Sequence, residues 1–365
     1  MRKLGRHKAA ATRRGPMRAG SLIVVGLALT VSAPSLVEGQ EVHRISGTEV
    51  AIYNLAGEVG VVPGSGSEVV VRVNRGGRDA ARLVIETGPI GGRGTLRVIY
   101  PSDEIVYPEM GRGSSTNLRV RSDGTFSDGG RGDGDRVSVR GSGDGLEAWA
   151  DLVVEVPTGR NMEVYLAVGR ADARGVRGDL RVDTGSGSVN VSDITGALVI
   201  DTGSGRVDVR DVRGDVLVDT GSGLIDAARI VGDDVELDTG SGRIVVDGVE
   251  ARRLRVDTGS GGIRVTGVRS PDVEVDTGSG AIEVELLADI ERFVVDTGSG
   301  SVTVRVPDGF SAEVELDTGS GRIEVELPME VRSARRDHVS GRIGDGGGRL
   351  SVDTGSGGIE ILRGG

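Results

Sequence analysis

The chain has 365 residues, 63 of them Gly, with no Cys, 2% aromatic residues and a formal net charge of −11. Without Cys there is neither a disulfide framework nor a lipidated cysteine, and a Gly-rich, aromatic-poor composition suits a thin fold with many corners rather than one thick core. The only lysines, Lys3 and Lys8, lie in a basic N-terminal stretch, so the acidic remainder has no basic stripe to neutralise phosphates and nucleic acid is not an expected partner.

Residues 1–39 read as a secretory signal. Arg2, Lys3, Arg6, Lys8, Arg13, Arg14 and Arg18 form a basic region, residues 21–33 are largely apolar, and Val37 and Gly39 are small enough for a cleavage site. The expectation is export to the periplasm, the cell surface or the medium. Residues 40–160 read as an irregular β region. Within it, residues 81–86 and 95–100 have strand character, and residues 122–144, rich in Gly, Asp and Ser, read as a mobile loop. Residues 146–156 resume as a strand that Pro157 stops.

Residues 161–365 carry the dominant signal. Asp-Thr-Gly-Ser-Gly recurs with its Asp at Asp183, Asp201, Asp219, Asp238, Asp257, Asp276, Asp296, Asp317 and Asp353. A period near 20 residues marks a solenoid whose units are single coils. The longest gap, between Asp317 and Asp353, holds what reads as a degenerate copy from Asp337 to Gly341. Counting from the Asp, apolar residues stand three and one before it and six and eight after it, as in Leu254, Val256, Ile263 and Val265 around Asp257. Each pair has the two-residue strand period and is mostly β-branched. The predicted fold is therefore all-β, a parallel β-solenoid of ~18–20-residue, two-strand coils, with Gly-Ser-Gly at the corner, where Gly reaches positive φ freely. Parity puts the Asp outward and the Thr inward. A weaker form of the template occurs around Tyr165, with Met162, Val164, Ala171 and Ala173, and around Tyr53, with Val50, Ile52, Val59 and Val61. The regular solenoid is expected to begin near residue 161.

Three stretches carry a family resemblance: Glu-Val-Ala-Ile-Tyr-Asn-Leu-Ala-Gly-Glu-Val-Gly-Val at 49–61, Ala-Asp-Leu-Val-Val-Glu-Val-Pro at 150–157, and the run of Val-Asp-Thr-Gly-Ser-Gly coils. On these the chain resembles the bacterial "putative adhesin" family of β-strand-repeat proteins, a domain of unknown function. The resemblance spans about residues 41–365. It implies a right-handed β-helix, export, surface attachment and no catalytic residues.

Asp-Thr-Gly-Ser is also the aspartic-protease signature, but that chemistry needs two facing carboxylates, and a line of coils supplies none. The simplest role for the Asp is an Asx-type turn, its carboxylate accepting N–H groups of the Gly-Ser-Gly corner. The alternative is a calcium ladder on the nine repeat Asp residues. It would relieve repulsion between stacked carboxylates but offers one carboxylate per coil where calcium takes about six to eight oxygens. Arg181, Arg206, Arg243, Arg255 and Arg322 flank some of the Asp residues and could share that task. No catalytic residue and no cofactor is assigned. Arg-Gly-Asp at 131–133, 177–179 and 213–215 reads as chance and corner chemistry. His43 and His338 have no metal-ligand spacing, and Trp149 is expected to cover the solenoid end.

The sequence thus predicts a non-enzymatic exported β-solenoid, an adhesin-like or cell-envelope scaffold binding a surface component or glycan. The alternatives are a polysaccharide-acting β-helix enzyme and a self-assembling envelope solenoid. The C-terminal coil, ending at Ile359–Arg363, reads as an open edge that could support end-to-end homo-oligomers.

Overall fold

The computed structural model describes residues 41–127 and 133–364. The expected signal, residues 1–39, lies outside the described residues, as do Arg131 and Gly132 of the first Arg-Gly-Asp. Within the described residues no helix is long and apolar enough to cross a membrane.

The repeat folds as its periodicity dictates. The four apolar positions of each coil point inward. In the coil of Asp257, Leu254 and Val256 are fully buried, as are Ile263 and Val265. Equivalent strands pair in parallel and in register, so Asp183 meets Asp201, Asp219 follows, then Asp238, Asp257, Asp276 and Asp296. Each interior position becomes a ladder of Val, Ile and Leu, broken once by Ala227 and once by Phe293. One coil buries too few side chains to offset its own ordering, so stacking supplies the stability. The Thr residues of the repeat form an inward column, exposed by 4% or less, and most of the Asp column faces out. Asp183 is the exception, at 4% exposure.

The stack begins earlier than the sequence suggests. Glu49–Pro63 lies in register on Asn161–Arg174, with Val50 against Met162, Tyr53 against Tyr165 and Val59 against Ala171. It is the first coil, and residues 64–160 are an insertion that caps this end. Arg93–Ile99 covers one strand of that coil and Trp149–Val156 the other. Antiparallel partners then extend both. The expected mobile loop contains a strand, Asp135–Arg140, in a separate four-stranded sheet with Glu104–Val106, Ser115–Val120 and Leu146–Glu147. Val137 and Val139 are buried there, a two-residue alternation that the surrounding Gly and Asp obscured.

The far end departs from sequence order. The coil that stacks on Asp296 is that of Asp353, and Asp317 lies beyond it. The last coil is inserted between its two predecessors. Ile359–Arg363 pairs with Val302–Val306 on one side and Ile323–Val325 on the other. The C-terminal coil is therefore interior to the stack, and the open edge expected there does not exist. The degenerate copy is not a coil either. Residues His338–Ile343 run antiparallel to Ala312–Thr318, and Met329–Ala334 runs antiparallel to them in turn. The reason is in the template: a coil on Asp337 would turn Arg336 and Asp345 into the core, where unpaired charges cannot be accommodated. Excluded from the stack, this segment folds back as a hairpin at its end.

Candidate functional site

The corner is the repeated chemical element, and its glycines are fixed by the coil below. A Cβ on the second Gly of a corner would lie 1.8 Å from the carbonyl oxygen of the equivalent Gly one coil earlier, as at Gly223, Gly242 and Gly261. The first Gly meets the same obstacle, Gly203 at 2.6 Å and Gly221 at 2.7 Å, although no positive φ is found there. Close stacking, more than backbone conformation, demands the glycines.

The corner's N–H groups bond to neighbouring backbone. Gly240 N–H donates to Thr220 O at 3.0 Å, and Gly242 N–H donates to Ser260 O at 3.0 Å. The inward Thr hydroxyl supplies a further bond, donating to the second-Gly carbonyl of the neighbouring coil: Thr258 to Gly242 at 3.2 Å, Thr277 to Gly261 at 3.1 Å. At the far end Thr354 donates to Gly300 at 3.0 Å and Thr318 to Gly357 at 2.8 Å, following the inserted order.

Those glycine donors are already taken, and among the described residues the repeat Asp side chains from Asp219 onward accept no backbone N–H, which corrects the expected capping role for them. Carboxylates do cap backbone, but at the opposite corner. Asp179 accepts from Ala197 N–H at 2.9 Å, and Asp215 accepts from Asp233 and Asp234 N–H, both at 3.0 Å. These two Asp residues belong to the second and third Arg-Gly-Asp triplets, which are thereby explained as coil corners. The signal was present as the Asp that follows Gly178 and Gly214, where Gly196 is followed by Ala197.

The repeat Asp residues instead form a single file of carboxylates. Burial first, then the charges of Asp257 and Asp219, raise the carboxyl of Asp238 above its ordinary range. Asp276 and Asp353 are raised for the same reasons, by burial and by their own neighbours in the file. Of the flanking arginines, Arg181 lies 3.6 Å from Asp183 and 3.8 Å from Asp201, and Arg255 lies 3.8 Å from Asp257. Arg206 pairs with Asp208 and Asp226 instead, Arg322 with Glu324, and Arg243 is exposed. Among the described residues no three His, Asp or Glu side chains converge to hold a metal ion.

The sign of the file's pH dependence follows. A carboxyl raised in the folded state binds its proton more tightly folded than unfolded, so falling pH stabilises the fold through the raised range. Lowered carboxyls such as Asp208, held down by the Arg206 hydrogen bond, act oppositely and lose their contribution as pH falls through their folded pKa. Neighbouring carboxylates ~4.8 Å apart repel by about 0.9 kcal/mol even at the dielectric of water. Asp238→Asn with Asp276→Asn is therefore expected to raise stability at pH 7 by about 1–2 kcal/mol at low salt. It should also flatten the rise in melting temperature between pH 6 and pH 4. A lower melting temperature at pH 7 would mean that the carboxylates are favourably engaged.

Ionic pairs elsewhere on the faces run between coils. Arg206 and Arg210 bridge Asp208 and Asp226, Arg229 grips Asp211 with two bonds of 2.6 and 2.7 Å, and Arg292 reaches Asp272 and Glu274, each at 3.0 Å. Asp193, Asp211 and Arg229 occupy left-handed φ near +55°, a one-residue bulge that Gly248 and Gly267 fill in later coils. His338 bonds to Asp317 at 2.8 Å and His43 to Glu41 at 2.6 Å.

Where the Asp file would continue upstream, Tyr165 and Tyr53 stack at 4.6 Å and Phe126 meets both edge-on. Tyr165 donates to Glu163 at 2.8 Å, and burial pushes its hydroxyl pKa up to about 12. Trp149 packs on Tyr107 at 5.7 Å and lies over Gly76 in the N-terminal cap. In that cap the buried Asn54 donates to Ala150 O at 2.7 Å and accepts from Tyr100 at 2.8 Å.

Comparison with known proteins gives one family. The model of the family described as Toastrack DUF4097 matches residues 150–362. Among solved structures, that of a "putative cell adhesion protein" from Clostridium sporogenes ATCC 15579 is similar at 9% identity. The match covers 89% of this chain and 99% of that one with a TM-score of 0.19. No curated protein matches.

Proposed function

We propose, for a chain that belongs to the Toastrack DUF4097 family, the role of a non-enzymatic, exported β-solenoid scaffold that presents its faces to a component of the cell envelope or surface. The observation that supports this most is the absence of convergence along the stack. Its one repeated ionisable group is a single file, one carboxylate per coil, and the charges beside it are spent on pairs between coils. Such surfaces give a partner an extended, periodic contact area. They do not gather an acid, a base and a nucleophile around one reacting atom.

The test is incubation of the purified chain with envelope fractions and a glycan array, alongside fractionation of producing cells. Saturable retention on one envelope component and recovery outside the cytoplasm support the role. Release of reducing ends from an arrayed polysaccharide would replace it with the enzymatic alternative.

A further inference from the structure

The inserted coil leaves an unusual terminus on the stack. One sheet ends at Ile323–Val325, which pairs only with Ile359–Arg363. The other extends two strands further, through His338–Ile343 to Met329–Ala334. Among the described residues, Met329–Ala334 has a strand partner on one side only. Its free side carries a row of unpaired backbone groups.

Two features of this edge are self-complementary. Val331 is 54% exposed, the most exposed of the large hydrophobic residues described. Half-buried Ile323, Val325, Leu327, Met329 and Val339 adjoin the core at the same end. Flanking Val331 are Glu330 and Arg332, of opposite charge; Glu330 opposes Arg342, and Arg332 is the extra residue of a bulge between the pairs Val331–Gly341 and Ser333–Ser340. The outer face carries a cross-strand row, Arg349, Glu313, Arg342 and Glu330, alternating in sign from strand to strand. Arg342 pairs with Glu330 within it, and Arg332 pairs with Glu313 beside it.

We propose that Met329–Ala334 pairs antiparallel with the same strand of a second copy, across a two-fold axis at Val331. In that register Val331 meets its own counterpart. Glu330 faces Arg332 of the second copy and Arg332 faces Glu330, so opposite charges meet on both sides of the axis. A parallel pairing would oppose like charges, and a partner lacking the Glu-Val-Arg triplet would leave these charges unmatched. The opposite end of the molecule lacks these features. One of its outer strands, Val84–Ile90, contains Pro89, which offers no N–H to a partner strand, and the other, Glu41–Ile45, exposes Val42 but flanks it with Glu41 and His43 rather than with a Glu-Arg pair.

The homotypic contact makes a specific prediction because the triplet can be inverted. In sedimentation of the full chain at rising concentration, the wild type should form a dimer. Glu330→Arg and Arg332→Glu each place like charges opposite one another twice per dimer, and each should raise the dissociation constant about tenfold or more. The double variant restores complementarity across the axis and should dimerise more tightly than either single variant. Circular dichroism of each variant separates loss of dimer from loss of fold. A strictly monomeric wild type would overturn the proposal and assign the charged pair to shielding the edge. So would a double variant no better than the singles.

Discussion

Ala in place of Gly261 should prevent stable folding, whereas Ala in place of Gly262, the next residue, should leave stability within about 1 kcal/mol of wild type. The two differ in what lies beneath them and in backbone conformation. A Cβ at Gly261 falls 1.8 Å from the Gly242 carbonyl oxygen, with φ of +151°, while a Cβ at Gly262 first meets an atom at 3.5 Å. Relief at Gly261 would require the coils to separate along a ladder that is hydrogen bonded on both sides. Overpacking and strained backbone together are worth roughly 3–5 kcal/mol at such a position, comparable with much of a domain's net stability. Thermal and denaturant unfolding of the two variants measures the difference. Equal effects would mean that neither the close approach of Gly242 nor the positive φ constrains Gly261.

Ile361→Asp should destabilise as strongly as Val256→Asp in the middle of the stack, each by several kcal/mol. Near the end of a sequence a strand is commonly an edge that tolerates change. Here Ile361 is fully buried between Val304 and Val325, and a carboxylate there would face ladders of Val and Ile with no cationic partner. Glu360→Lys, on the exposed side of the same strand, should stay within about 0.5 kcal/mol of wild type. A melting temperature for Ile361→Asp near that of wild type would show that the final coil is not interleaved.

The architecture was legible because the repeat states it nearly residue by residue. Positions such as Leu254 and Val256 fix the inward face, and Thr258 falls inward by parity. The template places Tyr53 and Tyr165 in the Asp slot, but the long insertion after Pro63 makes the Tyr53 segment read as part of an irregular region rather than as the first coil. Three further things were obscured. Periodicity reports which residues share a template but not the order in which coils stack, so the insertion of Asp353 between Asp296 and Asp317 left no trace in the spacing. The Asp337 copy reads as a coil from its spacing, although Arg336 and Asp345 stand in its core slots. Finally, the role of the repeat Asp was misplaced because the corner's donors were counted without the adjacent coil, whose Thr and Ser carbonyls already satisfy them. Asp179 and Asp215, at the other corner, do the capping.

The stacking order can be measured directly because the chain has no Cys. In-register neighbours in a parallel ladder lie ~4.8 Å apart, within the Cα separation a disulfide spans, and residues two strands apart lie ~9.6 Å away, outside it. Oxidation of the Asp296→Cys, Asp353→Cys double variant should give an intramolecular disulfide, identified by peptide mass mapping. The Asp296→Cys, Asp317→Cys variant should keep both thiols free although those positions are consecutive in the repeat. The reverse pattern, with Asp296 linked to Asp317 and not to Asp353, would contradict the interleaved stack on which this description of the far end rests.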